Sequence, residues 1–169
     1  MIEIQAEQNK DFKAVRQVNL AAFKRENEAN LVERLRLVHN TFSFVAIVAK
    51  QVVGHIFFSP VTIEGTDPEH LLILGLAPLA VKSEYQQQGI GSMLVRHGLK
   101  ECFQSGYRAV VVLGEPSYYQ RFGFFCASEK GLKCEYHVPD EVFLVLESEN
   151  GALQNVKGTV KYHSEFKNV

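Results

Sequence analysis

An apolar strand, a short polar loop and a helix opened by glycines follow one another in the middle of the chain. Residues 74–81 read Leu-Gly-Leu-Ala-Pro-Leu-Ala-Val, and residues 86–91 read Gln-Gln-Gln-Gly-Ile-Gly. This order points several backbone N–H groups, and the positive end of a helix, at one place. Because Gly89 and Gly91 have no side chains, a diphosphate can approach the backbone closely. The sequence therefore predicts an anion site at this helix start.

Two common phosphate-binding motifs do not fit this loop. A nucleotide P-loop has a Lys after its last glycine, where this chain has Ser92. The dinucleotide fingerprint has a third glycine, where this chain has Leu94. The spacing Gln-x-x-Gly-x-Gly resembles the acyl-coenzyme A loop of the GNAT superfamily of N-acetyltransferases, with Gln86 in its first position. A glycine-rich helix start without a ligand is the alternative interpretation.

Composition and charge narrow the class of protein. The 169 residues suit one domain covering residues 1–169. A net charge of −1 with mixed signs argues against binding to nucleic acid or to an anionic membrane. The three cysteines have no metal-ligand spacing, which predicts reduced thiols in a cytoplasmic protein without a metal. The first residues lack a signal-peptide layout, and the apolar stretch 71–81 is too short to span a bilayer.

Hydrophobic periodicity predicts alternating strands and helices. A first helix is expected to be capped by Asn9, with Phe12, Val15, Val18 and Ala22 on its buried face. Lys50 and Gln51 are predicted to connect a hairpin, with a bulge or an end of pairing at Gly54 and Pro60. The final residues 151–169 are predicted to be polar and irregular. The other predicted elements are strands around residues 2–4 and over 44–49, 52–63, 71–81, 108–113 and 142–146, a turn over 64–70, and helices over 28–38, 89–105 and 115–122.

Pro78 lies inside the predicted strand 71–81 and cannot donate a ladder hydrogen bond. A bulge or a local break in pairing is therefore expected beside it. This agrees with the resemblance, because the fourth strand of GNAT folds is bulged and splays away from the fifth. In that family the pantetheine arm lies in the gap and bonds to the strand backbone. The matching residues here are Leu79, Ala80 and Val81.

A second motif follows the predicted strand 108–113. Tyr119, Gly123 and Phe124 fit the spacing Tyr-x-x-x-Gly-Phe, which GNAT enzymes commonly have after the fifth strand. The resemblance implies that Tyr119 is the general acid that protonates the leaving thiolate. A phenol, with a pKa of roughly 10, is protonated at neutral pH and can donate to a thiolate, whose thiol has a pKa of roughly 8.5. Tyr118 lies about 100° round the helix from Tyr119, so the two rings cannot face the cofactor equally, and the family's spacing selects Tyr119. The alternative is that these aromatic residues only form a core.

The resemblance extends over essentially the whole chain, with residues 78–81, 112–124 and 158–162 similar to the YhbS-like branch of predicted GNAT acetyltransferases. It implies an α/β (α+β) fold in a single domain. The expected sheet is mixed and mostly antiparallel, with a splayed parallel pair formed by the fourth and fifth strands and helices on both faces. A homodimer is a further expectation, since dimers are common in this superfamily.

The resemblance implies transfer of an acetyl group from acetyl-CoA, as co-substrate, to a primary amine by direct attack in a ternary complex. The alternative is a non-catalytic acyl-CoA-binding sensor or interaction module. Many family members have a glutamate base on the fourth strand, where this chain reads Leu-Gly-Leu at residues 74–76. Glu115, His70 and His137 are possible substitutes, and Glu115 is the chosen candidate. The cofactor-binding residues implied are Leu79, Ala80, Val81, Gln86, Gln87, Gln88, Gly89, Ile90, Gly91, Ser92, Tyr118 and Phe122.

Overall fold

The computed structural model describes residues 1–66 and 71–169. Most of the predicted turn 64–70, including His70, therefore lies outside the described residues. Internal contacts divide the chain into two compact units. The first unit comprises Met1–Ser59, Ala77–Lys100 and Ser164–Val169, and the second comprises Pro60–Leu76 and Glu101–His163.

The described elements follow the predicted alternation of strands and helices. Hydrogen bonding connects seven strands in the order β1-β2-β3-β5-β6-β9-β7, and a smaller sheet has the order β4-β10-β8. Among the strand pairs with a described register, pairing is antiparallel except between β5 and β6 and between β10 and β8, so the predicted mixed, mostly antiparallel sheet is confirmed. The bounds are β1 Ile2–Ala6, α1 Phe12–Phe23, α2 Asn27–Leu35, β2 Phe42–Val48, β3 Gln51–Pro60, β4 Thr62–Ile63, β5 Ile73–Val81, α3 Ile90–Gln104, β6 Ala109–Leu113, α4 Pro116–Tyr119, β7 Phe125–Cys126, β8 Leu132–Cys134, β9 Phe143–Glu147 and β10 Gly158–Lys161.

The first unit has helices on both faces of its strands, as predicted. On one face, Val45 and Phe57 belong to the core cluster that α1 and α2 form with β2, β3 and Ala80. On the other face, a Cβ added at Gly54 would lie 3.0 Å from the side chain of Leu94 in α3. Because successive strand residues point to opposite faces, each helix layer is positioned by alternate residues of the same two strands.

The hairpin between β2 and β3 turns one residue earlier than predicted. Val48 pairs with Gln51, so the connection is Ala49–Lys50 and not Lys50–Gln51. Both residues have positive φ, 49° and 68°, as a two-residue turn of the favoured hand requires. Neither is Gly, Asn or Asp, so the sequence carries no signal for this turn. The predicted irregularity near Gly54 is confirmed by a register shift between Ala46 and Ile47 on the paired strand.

Two other local predictions at the first helices were wrong. Asn9 does not cap α1, because a 3-10 turn over Asn9–Asp11 precedes it and the Asp11 carboxylate accepts the Gln8 N–H at 2.9 Å. The second helix ends at Leu35 and not at Val38. Glu28, in the first turn of α2, is buried and paired with Arg25 of the link that precedes the helix.

The directions of two hydrogen bonds show an interruption in the regular alternation of β5. The Ile73 carbonyl accepts the Val61 N–H at 3.2 Å, on the β3 side of the strand, and the Lys82 N–H donates to Val53 of β3 at 2.9 Å. Residues an odd number apart in a regular strand point their polar groups to opposite sides. The regular alternation of β5 is therefore interrupted between them, in the stretch that holds Pro78. The parallel ladder with β6 covers residues 73–75 only, which agrees with the predicted splay.

In the second unit, β6 lies between β5 and β9, and the chain end adds a strand that was not predicted. Residues 158–161 form β10, which pairs antiparallel with β4 and parallel with β8. The prediction of an irregular segment was wrong here because Val160 and Tyr162, two residues apart, are both buried in a stretch too short for a clear periodic signal. The three cysteines are free thiols. Within the described residues, no helix has both the length and the apolar character needed to cross a bilayer.

His55 forms a buried polar cluster that the sequence did not indicate. Its Nδ1 lies 3.2 Å from the Asn19 amide nitrogen, and its Nε2 lies 2.8 Å from the Ser43 hydroxyl. The same Asn19 nitrogen donates to the Val15 carbonyl at 3.1 Å, so it also donates to Nδ1, and Nε2 carries the proton. Burial, and secondarily the Arg36 charge, lowers the pKa of His55 to about 3.

This pKa predicts a pH-dependent stability. Below about pH 6.5 the unfolded chain binds a proton at His55 and the folded chain does not, so stability falls as the pH falls from 6.5 toward 3. The expected slope is about 1.4 kcal/mol per pH unit. We expect His55→Gln to remove this slope in urea unfolding between pH 6.5 and pH 5. The exposed His39→Gln control should keep it, and an unchanged slope in His55→Gln would contradict the assignment.

Candidate functional site

The loop between β5 and α3 is held in shape by its own hydrogen bonds. The Tyr85 N–H donates to the Lys82 carbonyl at 2.8 Å. The Gln86 side chain donates to the Val81 carbonyl at 3.0 Å, and the Gln88 side chain donates to the Glu84 carbonyl at 3.4 Å. These two glutamines therefore close the loop with their amide groups, so their role toward a ligand would be to fix the backbone.

Six successive backbone N–H groups, those of residues 87–92, have no acceptor among the described residues. The first bond at the start of α3 is from the Met93 N–H to the Gly89 carbonyl at 3.0 Å. Gln87 and Gly89 have φ of 61° and 85°, which turns the backbone sharply at this point. The open N-terminus of a 15-residue helix adds its dipole to these donors. An anion placed here would satisfy the unpaired amides.

Gly89 contributes a backbone conformation and free space. At a φ of 85° an L side chain is strained, and a Cβ added there would meet no protein atom within 4 Å. The space in front of the amides is therefore open on the protein side. Gln86, Gln87, Gln88 and Gly89 are exposed, as a surface site for a large ligand requires.

The end of β5 leads directly into this loop. Ala80 is buried in the cluster with α1 and α2, whereas Leu79 and Val81 are only partly buried. Because the Lys82 N–H donates to β3, strand alternation directs the Ala80 N–H to β3 as well. The N–H groups of Leu79 and Val81 then point to the opposite edge of the strand. Of Leu79 and Ala80, Leu79 is therefore the residue whose N–H is directed away from β3.

The second unit contains the predicted tyrosine motif. Glu115 precedes α4, Pro116 takes the first helical position, and a 3-10 turn over Gln120–Phe122 ends at Gly123 with a φ of 98°. Tyr119 is 8% exposed, and its ring centroid lies 5.5 Å from that of Phe124. The predicted short helix is thus confirmed, and it divides the tyrosine pair into a buried and a half-exposed member.

The two tyrosines have different surroundings. Tyr118 is half-exposed, and the Arg121 guanidinium lies 4.3 Å from its ring centroid. Burial, and secondarily the neighbouring Tyr118, raises the pKa of Tyr119 above its usual range. The Tyr119 phenol therefore stays protonated at every pH at which an amine-dependent reaction is ordinarily measured. A group that must begin the reaction with its proton is well suited to this environment.

Gly114 supports the Tyr119 ring, a contact that the motif alone did not reveal. A Cβ added at Gly114 would lie 2.4 Å from Cε2 of Tyr119, so only glycine allows the ring to rest against this backbone. The position directly before Glu115 was the available signal, since a glycine between a strand and a helix often marks a close approach.

We expect Gly114→Ala to displace the Tyr119 ring and lower kcat by about tenfold, with a stability loss of about 1–3 kcal/mol from overpacking. In a Tyr119→Phe background the ring remains but the hydroxyl is gone, so the same substitution should then leave kcat unchanged. Steady-state kinetics of the four variants of this cycle measure the coupling. Equal fractional losses in both backgrounds would show that Gly114 does not act through Tyr119.

The candidate bases lie at the surface. Glu115 is exposed, and its Oε1 accepts a hydrogen bond from the Ser117 hydroxyl at 3.2 Å. His137 is also exposed, and His70 lies outside the described residues. The first unit thus groups the β5 residues with the loop residues, and the second unit groups Glu115, Tyr118, Tyr119 and Phe122.

Comparisons with known proteins agree with these two motifs. The model of the acetyltransferase (GNAT) family matches residues 3–124. The uncharacterized N-acetyltransferase YhbS of Escherichia coli K12 is 40% identical over 149 residues, which cover 86% of each chain. A crystal structure of Escherichia coli YhbS in complex with CoA has a TM-score of 0.91 and 36% identity, covering 98% of this chain and 91% of that one.

A second structure is similar over nearly its whole length. A GNAT family acetyltransferase from Brucella melitensis, crystallised with acetyl-CoA, has a TM-score of 0.82 and 34% identity, with 99% of both chains covered. The resemblance to the YhbS-like branch is thereby confirmed. The chain belongs to the acetyltransferase (GNAT) family and is an acyltransferase.

Proposed function

We propose that this protein transfers an acetyl group from acetyl-CoA to a primary amine by direct attack in a ternary complex. The observation that carries the proposal is the row of six unpaired N–H groups at the start of α3, which suits a diphosphate. The CoA and acetyl-CoA complexes of relatives at 36% and 34% identity support the choice of ligand. The partly buried end of β5 offers a strand edge for the pantetheine arm.

The proposed cofactor residues act mainly through their backbone. Gln87, Gly89 and Gly91 supply amides to the diphosphate, together with Gln88, Ile90 and Ser92. Leu79 and Val81 offer N–H groups that point away from β3, and Ala80 anchors this segment to the core. The side chains of Tyr118 and Phe122 provide aromatic surface in the second unit, and Gln86 keeps the loop closed.

In the proposed reaction, the departing sulfur gains one proton and the attacking amine loses one. The amine nitrogen forms a bond to the thioester carbonyl carbon, and the bond from that carbon to sulfur breaks. The Leu79 N–H stabilises the charge that develops on the carbonyl oxygen. Tyr119 donates its proton to the departing sulfur, and Glu115 accepts the proton that the amine loses, directly or through water. The tyrosine is then reprotonated from solvent.

The cellular setting is proposed on the same grounds. Three cysteines that remain free thiols are usual for a protein of a reducing compartment, which supports a cytoplasmic location.

Release of free CoA thiol over a panel of primary amines tests the proposed function. The panel should include a polyamine, an aminoglycoside antibiotic, a peptide with a free N-terminus and a peptide with a lysine. We expect thiol release with at least one amine, accompanied by a mass increase of that amine equal to one acetyl group. Tight binding of acetyl-CoA with no acetylated product from any amine would instead support a non-catalytic acyl-CoA-binding module.

A further inference from the structure

The first unit contains a groove of about 860 Å³ lined by four lysines. Lys10 lines it from the 3-10 turn before α1, Lys13 from the first turn of α1, Lys50 from the hairpin turn, and Lys82 from the position directly after β5. We infer that this lysine groove binds a small polyanion that carries two or more phosphate groups. The inference does not depend on the proposed acetyl transfer.

The charges in the lysine groove are not balanced by the protein. Two carboxylates also line it, but Asp11 is buried and its Oδ2 accepts the Gln8 N–H, which leaves Glu3 as the exposed acid. Within the described ranges, none of the four lysines has a carboxylate within 4 Å. By contrast, all four arginines of α1, α2 and the flanking link have such a partner, namely Arg16, Arg25, Arg34 and Arg36.

Rigid backbone holds these lysines around one space. The Lys82 N–H is bonded to Val53 of β3, and Lys13 lies in the first turn of α1. Lys50 has a φ of 68° and follows Ala49 at 49°, a conformation that costs about 1 kcal/mol or more for each non-glycine residue. The surrounding hairpin therefore fixes the direction of Lys50 against its own preference. An anion bound in the groove would be attracted by all four charges.

The lining favours phosphate over other anions. The remaining polar groups are the amides of Gln5, Gln17 and Gln51, which add neutral donors, and Ala14, Ile47 and Val52 form the apolar part of the lining. Lysine acts as a compact point charge and binds phosphate well, whereas carboxylate recognition more often uses the arginine fork. No arginine is among the described residues that line the groove, which favours phosphate over the carboxylates of an acidic peptide. A groove of about 860 Å³ has room for several phosphate groups, and lysines from three separate segments supply positive charge for more than one of them.

Calorimetry with inorganic tripolyphosphate at low salt tests the inference. We expect heat of binding both for the free protein and for protein saturated with acetyl-CoA, since residues 87–92 do not line this groove. Lys13→Gln combined with Lys50→Gln should weaken tripolyphosphate binding by about tenfold or more, because two of four charges are lost. Lys100→Gln combined with Lys133→Gln removes the same charge at exposed positions outside the groove, and it should change the affinity by less than twofold.

Several results would overturn the inference. They are an absence of heat at millimolar tripolyphosphate, equal weakening in both double variants, or loss of binding when acetyl-CoA is present. Loss of binding in the presence of acetyl-CoA would mean that tripolyphosphate binds at the N-terminus of α3. Binding of a hepta-glutamate peptide without binding of tripolyphosphate would likewise contradict the inference, because the ligand of the lysine groove would then be an acidic protein segment. Both double variants should keep the acetyl-CoA affinity of the natural chain, which separates this test from that of the proposed function.

Discussion

Tyr119→Phe is expected to lower kcat by about 10²- to 10⁴-fold, the usual contribution of a general acid, while acetyl-CoA affinity changes by less than about threefold. The phenylalanine ring preserves the contacts with Phe124 and Gly114, so only the proton donor is removed. Because burial raises the pKa of Tyr119, the natural enzyme should show no loss of activity from this group below about pH 10. Steady-state kinetics across pH, with calorimetry for binding, measure both effects.

The matched control is Tyr136→Phe, a half-exposed tyrosine of the same unit that stacks on Tyr162. It removes the same hydroxyl group and should leave kcat within about twofold. A Tyr119→Phe enzyme with the kcat of the natural chain would exclude Tyr119 as the acid. If Tyr118→Phe caused the large loss instead, the half-exposed tyrosine would take that role.

Gly91→Glu should weaken acetyl-CoA binding by about 100-fold or more. Gly91 lies in the first turn of α3, among the six N–H groups that have no acceptor in the described parts of the chain. A carboxylate placed there can accept these N–H groups itself and repels a diphosphate. The protein should remain folded, because an acidic residue in the first turn stabilises a helix. Isothermal calorimetry gives the affinity, and thermal unfolding gives the stability.

Gln104→Glu is the corresponding control, since it adds one negative charge at the exposed last turn of the same helix. Acetyl-CoA affinity should then stay within about twofold of the natural value. If Gly91→Glu bound acetyl-CoA as tightly as Gln104→Glu, the diphosphate would have to lie elsewhere.

The main elements of the fold were predictable because their signals are local and strong. Strand alternation, helix periodicity and the glycine loop each act over a few residues, and β5, α3 and β6 lie within two residues of their predicted bounds. Features that depend on distant partners were missed. The turn at Ala49 and Lys50 has no glycine, and β10 exists because β4 and β8 lie on either side of it. The buried pair of Asn19 and His55 likewise results from packing of α1 on β3.

The candidate site likewise has residues that the sequence predicts and features that only the structure shows. The loop residues and Tyr119 follow from motif spacing, because phosphate binding and acid catalysis need particular residue types at fixed intervals. The preference for Leu79 over Ala80 required hydrogen-bond directions at Lys82, which no spacing provides. The support of Tyr119 by Gly114 required the position of a ring. The role of Glu115 as the base stays a prediction, since the structure shows it as an exposed carboxylate that accepts a hydrogen bond from the Ser117 hydroxyl.

Backbone amide NMR during titration with acetyl-CoA tests the central claim most directly. The account predicts that the N–H resonances of residues 87–92 shift strongly and together as the ligand saturates, because these amides gain acceptors. The N–H resonances of Met93 and Lys82, which already donate to Gly89 and Val53, should shift much less. Saturable binding of acetyl-CoA that leaves the resonances of residues 87–92 in place would contradict the account.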